Sequence, residues 1–203
     1  MNYIIIYNLY RKEIKKLETR DLIIETVQKL LIEKGYYSLK IADICKEAGL
    51  GKGTFYYHFE HKGQLIDIIG MRMINAMEYE INYLDDKKET EEIIRDLFNV
   101  FINFTVGKSV LINRLIEASS ESAVMNGVRT GYKPFRKIIA MKLFNDESEV
   151  SVFKAKMILG IIDFYIKEDI LENDCSSNGK VLASYITMIT DGINGISNQH
   201  FQE

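Results

Sequence analysis

Apolar positions recur at helical spacing along most of the chain. Between Thr19 and Lys34, the residues Ile23, Val27, Leu30 and Leu31 fall on one stripe and predict a first helix. Thr19 reads as its N-cap, Asp21 suits the positive end of the helix dipole, and Gly35 suits the left-handed residue just past the end. A very short helix follows over 41–48, with Ile41, Ile44, Cys45 and Ala48 facing inward. Gly49-Leu50-Gly51 forms a tight turn with Leu50 as its apolar plug, and a third short helix covers 52–58. Further helices are predicted near 62–84, 89–106, 109–122, 126–144, 149–171 and 179–198. Polar breaks at 85–88, 107–108, 145–147 and 173–178 separate them. About nine helices and no strand pattern make the fold all-α.

The run from Asn2 to Tyr10 is apolar and uncharged, and Arg11 and Lys12 follow it. A secretory signal carries its positive charge before the apolar core, and a membrane span needs about 20 residues. Residues 1–16 are therefore expected to be an N-terminal extension, an extra turn or strand packed on the body. No segment reads as membrane-spanning, so a soluble, cytoplasmic protein is expected.

Composition agrees with a folded helical chain. Of 203 residues, 47% are hydrophobic and one is proline, Pro134. The net charge of −3 is unevenly divided. From Arg11 to Lys62 there are 11 Lys/Arg and 8 Asp/Glu; the remainder carries 15 and 21. A basic front and an acidic rear suggest two parts with different partners. Cys45 and Cys175 cannot make a disulfide framework, and Cys45 reads as a buried small hydrophobe. His58, His61 and His200 have no zinc-site spacing, so no metal or cofactor is expected.

Two short helices joined by a glycine-bearing turn are the helix-turn-helix pattern. The second of them, Lys52-Gly-Thr-Phe-Tyr-Tyr-His-Phe59, carries the most informative chemistry. Phe55 and Phe59 are four apart and face a core, which turns Thr54, Tyr56, Tyr57 and His58 to other faces. Tyrosine hydroxyls, imidazole and lysine are donors matched to phosphate oxygens. Gly53 allows the helix start to approach a base or phosphate closely. The competing reading is that Tyr56 and Tyr57 are packed aromatics under a loop.

Thr19-Arg20, Gly35-Tyr36, Ile41-Ala-Asp-Ile-Cys-Lys-Glu-Ala-Gly49, Lys52 to Phe59, Lys62 and Leu65 together resemble the DNA-binding domain of TetR/AcrR transcriptional regulators. The resemblance spans Thr19 to Ile66. It implies a helix-turn-helix DNA-binding domain over 17–62, then a helical ligand-binding and dimerisation domain over 63–203. It implies that Lys52, Gly53 and Thr54 open the recognition helix at the major groove. Tyr56, Tyr57 and His58 would hold phosphates, and Lys62 would hold one while tying DNA to the ligand domain. The chain departs from the family at Leu39 and Lys40, where a hydroxyl cap is usual; Ser38 is a possible substitute, and Lys40 adds charge to the DNA-facing set. Gly51 stands where Ser often caps the recognition helix, and Gly63 replaces a common Glu, so the fourth helix begins less firmly.

Resemblance fades after Ile66. The helix at 149–171 is apolar over more than one face, and that at 179–198 carries Leu182, Tyr185, Ile189, Ile193 and Ile196 on one stripe. The pattern alone suits a dimer interface and an intramolecular core equally; the resemblance implies a homodimer through these two helices. An inducer pocket would lie among the helices between 62 and 171, lined by aromatics with a few polar groups. Asn75, Phe101, Asn103, Tyr132 and Phe164 are its candidates, with Ser119, Arg129 and Asp163 as further polar ones. Gly131-Tyr-Lys-Pro134 begins or kinks a helix beside it.

No phosphate-binding glycine loop, GxSxG or defined carboxylate pair is present, which argues against an enzyme. The expected function is ligand-responsive, sequence-specific DNA binding, as a repressor released from a palindromic operator. The alternative is the same fold acting on a protein partner.

Overall fold

The computed structural model describes residues 2–85, 88–129, 132–172 and 179–196, with side chains from Lys15 onward apart from those of 129, 171 and 172. The Gly131, Cys175 and His200 positions and the Arg129 side chain lie outside what is described. Among the described residues there are nine α-helices and no strand. They are α1 (Asn2–Lys34), α2 (Ile41–Glu47), α3 (Lys52–His58), α4 (Gly63–Asn82), α5 (Thr90–Glu117), α6 (Ala123–Arg129), α7 (Arg136–Phe144), α8 (Glu149–Tyr165) and α9 (Gly179–Gly195).

The chain divides into two compact units. The first comprises residues 1–70 and 110–125, and the second 71–109 and 126–203.

In the first unit, the predicted stripe of α1 is the core. Ile23, Ile24, Val27, Leu30 and Leu31 are buried, with Tyr36, Leu39, Ile44, Cys45, Phe55 and Phe59 around them. Gly35 adopts φ +72 directly after α1, the left-handed residue that closes the helix. Gly49 repeats that conformation at φ +67 in the turn between α2 and α3. Cys45 is buried and unpaired, as a small hydrophobe.

Two expectations for α1 are overturned. Thr19 is not a cap: the helix runs through it, and its hydroxyl donates to the Lys15 carbonyl one turn back at 2.8 Å. The extension is neither a separate turn nor a strand, because its backbone is helical from Asn2 onward. The physical reason is local. Lys15, Lys16, Leu17 and Glu18 are strong helix formers, and nothing between them and Asp21 stops propagation.

Gly63 begins α4 as a buried residue, and a Cβ there would sit 2.9 Å from the His61 ring. The Gln64 amide oxygen accepts from the Glu60 N–H at 3.0 Å and secures the start of the helix.

The second unit buries Phe98, Phe101, Ile139, Ile158, Leu159, Ile162, Tyr165, Ile186 and Ile189. Tyr165 packs edge-on against Phe98 at 5.4 Å and Tyr185 at 5.2 Å. The predicted helices at 89–106 and 109–122 meet at the predicted break: α5 is kinked there, with non-helical dihedrals at Lys108 (φ −132, ψ 19), and a short 3-10 turn at Ser119–Glu121 follows it. The predicted helix at 126–144 is instead α6, a 3-10 turn at Lys133–Phe135 with Pro134 in its first positions, and α7. Beyond α8 the chain widens into a π-helical turn over Ile166–Glu172.

Candidate nucleic-acid interface

The α3 helix is positioned by its own two faces. Phe55 is fully buried and Phe59 is 2% exposed, their rings 5.8 Å apart. This pair fixes the rotation of the helix about its axis. Tyr56 and Tyr57 are consequently 56% and 63% exposed. Their exposure removes the competing reading of tyrosines packed under a loop. Lys52 and Gly53 are exposed at the helix start, and Thr54 and His58 are half-buried. Gly51 is the N-cap, extended at φ −77 and ψ 153, with open space where a Cβ would stand. Gly53 has open space too: no described atom lies within 4 Å of where its Cβ would stand.

Lys40 is exposed and occupies the N-cap of α2, where the Asp43 carboxylate accepts from its backbone N–H at 3.4 Å. The cap therefore comes from Asp43 rather than from the Ser38 hydroxyl. Lys62 is half-buried. Its ammonium donates to the carbonyls of Tyr36 (2.9 Å) and Leu39 (3.0 Å) and lies 4.2 Å from the centre of the Tyr36 ring. It thus holds the α1–α2 loop to the start of α4.

Two residues outside the sequence-derived set join this surface. Lys16 Nζ stands 5.6 Å from the centre of the Tyr57 ring, and the Arg20 guanidinium stands 5.4 Å from that of Phe59. Burial first, then the charges of Lys16 and Arg20, hold the His58 imidazole below the usual histidine range. The signal for these residues was the Lys/Arg-rich stretch before Asp21. Its register against α3 becomes visible only once α1 is one continuous helix.

Of the residues proposed for a ligand, the structure brings Phe101 and Tyr132 together. Phe101 is buried, and its ring lies edge-on to Tyr132 at 5.9 Å and to Phe135 at 5.7 Å. Tyr132 is in the left-handed region at φ +54, and its hydroxyl donates to Asp163 Oδ1 at 2.5 Å. Burial and that carboxylate push the phenol well above its ordinary range. Lys167 donates to the other oxygen of Asp163 at 2.7 Å. Asn75 and Asn103 are exposed. Phe164 is also exposed, its ring 6.5 Å from Tyr185. Ser119 is buried in the 3-10 turn of the first unit.

Residues 23–68 match the model of the bacterial regulatory proteins of the tetR family. The chain is thus similar to transcriptional regulators of the TetR family. A helix-turn-helix-type transcriptional regulator of Staphylococcus aureus (strain bovine RF122 / ET3-1) is 29% identical over 105 residues, which are 51% of this chain and 56% of that protein. The chain therefore spans little more than half the length of that curated relative. Solved structures share the fold over a larger part. A transcriptional regulator from Rhodococcus sp. Rha1 superposes with a TM-score of 0.65 at 13% identity, covering 88% of this chain and 99% of that one. The regulator FadR of Bacillus subtilis, solved in complex with stearoyl-CoA, gives a TM-score of 0.56 at 20% identity, covering 87% and 98%. Among the described residues there is no group of metal-ligating side chains, and no helix is long and apolar enough to cross a membrane.

Proposed function

We propose that this chain is a TetR-family, sequence-specific DNA-binding repressor, released from a palindromic operator by a small-molecule inducer. The observation that carries the reading is the split of α3, with Phe55 and Phe59 buried and Tyr56 and Tyr57 turned to solvent. Large amphipathic side chains held outward at that density are a recognition surface. Lys52, Gly53 and Thr54 open the helix toward base edges, and Tyr56, Tyr57 and His58 grip phosphates. Lys40 and Lys62 add positive charge on either side.

The repressor acts as a homodimer through α8 and α9. In support, Met157, Gly160, Ile161 and Phe164 lie at helical spacing on α8, with Met157 and Phe164 exposed at 45% and 54%. On α9, Met188 is 53% exposed, and Gly192 and Gly195 leave open space for close helix approach. A two-fold dimer presents two recognition helices to successive major grooves about 34–36 Å apart. An inducer that prefers a wrongly spaced form weakens DNA binding by the ratio of its own two affinities. The Phe101–Tyr132–Asp163 cluster offers an apolar lining with one polar pair for such a molecule. The stearoyl-CoA held by the Bacillus subtilis neighbour makes fatty-acyl thioesters the first class to test.

Selection from a pool of random duplexes tests the DNA reading. Enrichment of a two-fold symmetric sequence with half-sites about one helical turn apart supports it. The absence of any enriched sequence overturns it and leaves the protein-partner reading.

A further inference from the structure

We propose that Lys16 and Arg20 of α1 form a second phosphate-binding edge beside the recognition helix, so that the DNA footprint extends from α3 onto the long first helix. This rests on the DNA-binding reading above and adds two contact residues on a different element.

The basic side chains of the first unit differ in what occupies them. Lys29 pairs with Glu47, and Lys34 lies 3.8 Å from Asp43, so the α1 cations nearest α2 are met by carboxylates. Lys62 is taken up by two carbonyls and a ring. Lys16 and Arg20 form no ion pair among the described residues; each rests against an aromatic ring of the α3 segment. They stand four apart, on one face of a continuous helix. That face is the one toward Tyr57, His58 and Phe59.

The arrangement suits an anion. A cation over a ring keeps its remaining N–H donors outward, and the ring fixes where they point. Arg20 presents a planar fork suited to two phosphate oxygens, and Lys16 a mobile point charge. They meet α3 at its last turn, beside His58 and the exposed Tyr57. An anion here would also relieve the mutual repulsion that Lys16 and Arg20 impose on His58. The shared ligand chemistry is the phosphodiester backbone, so these contacts add affinity and register without reading sequence.

The test uses the full-length chain and a fluorescein-labelled duplex of about 30 base pairs, followed by anisotropy across a salt series. Each phosphate contact contributes about 0.9 to the slope of log affinity against log salt. Lys16→Gln and Arg20→Gln should each flatten the slope by roughly that amount, which makes the fall in affinity between about 50 and 200 mM salt about threefold smaller. Arg20→Lys should restore the slope while failing to restore full affinity, because charge returns without the fork. Thermal melts of every variant separate lost binding from lost folding. Unchanged slopes in both glutamine variants, with wild-type binding intact, overturn this inference and leave the α3 reading standing. Absence of duplex binding by the wild-type protein even at low salt overturns both.

Discussion

The ammonium of Lys62 lies 3.0 Å from the carbonyl oxygen of Leu39, to which it donates. Leu39 is buried in the loop ahead of α2, and Lys62 directly precedes α4. One side chain therefore joins the helix-turn-helix to the helix that leads out of it. The Tyr36 carbonyl has a second donor, the Leu39 N–H at 3.2 Å, so the loss of Lys62 falls mainly on Leu39.

Lys62→Met should destabilise the protein by about 1–3 kcal/mol, through the lost charge-assisted bonds and the orphaned carbonyl. For a chain of this size, each kcal/mol lowers Tm by about 2–4 °C. Thermal unfolding followed by circular dichroism checks this. A melting temperature equal to wild type would show that the ammonium is not a structural tie.

Gly51→Ser should do the reverse. The position is an extended N-cap with open space for a side chain, and a serine hydroxyl can accept from the first-turn N–H groups of α3. A gain of a few tenths of a kcal/mol is expected in urea unfolding. A loss would mean that the cap geometry differs from that described.

DNA affinity should rise as pH falls. In the free protein, burial and the charges of Lys16 and Arg20 depress the His58 imidazole, with Tyr57 its aromatic neighbour at 5.0 Å. A bound phosphate favours the imidazolium, so the complex holds the proton to higher pH than the free protein does. Binding then takes up a proton in the window between the two values, and lower pH strengthens the complex. His58→Gln should remove this dependence. Folding has the opposite sign: the depressed imidazole contributes stability that is present above the unfolded value and lost as pH falls through the window toward the folded one. Anisotropy titrations between pH 5.5 and 8 (a range set by the ordinary histidine value of about 6.5) distinguish the two.

Much of the helix-turn-helix was legible in the residues, and the reasons are local. The α3 helix begins at Lys52 and ends at His58 as the phenylalanine spacing and flanking glycines require. Gly35 and Gly49 take positive φ, which their positions after helices demand. Thr19 misled because a hydroxyl that can cap can equally bond the carbonyl four residues back when the helix continues. Arg20 entered only through the family resemblance and Lys16 not at all, because their ring partners Tyr57 and Phe59 lie about 40 residues on, beyond any local periodicity. Asn75 and Asn103 are polar residues on amphipathic helices, and solvent is their default neighbour. The Phe101–Tyr132 contact needed the left-handed turn at Tyr132, which no pattern in the sequence announces for a tyrosine.

Tyr132→Phe provides a control remote in sequence from α3. It removes one hydrogen bond to Asp163, whose other oxygen keeps Lys167, so a cost of about 1 kcal/mol is expected. DNA affinity without inducer should remain that of wild type. A large fall in DNA affinity from this substitution would contradict the assignment of DNA contacts to the first unit.

The most direct test of the central claim is anisotropy on DNA from immediately upstream of the chain's own gene and on the duplex enriched by random selection, with scrambled competitor. The comparison is between wild type and Tyr56→Phe/Tyr57→Phe, which deletes two exposed hydroxyls and spares the buried face of α3. The account predicts saturable, salt-sensitive binding by wild type on the selected duplex, a loss of about tenfold or more in the double variant from two phosphate bonds of roughly 1 kcal/mol each, and equal melting temperatures. Equal DNA affinity of the two proteins would contradict it.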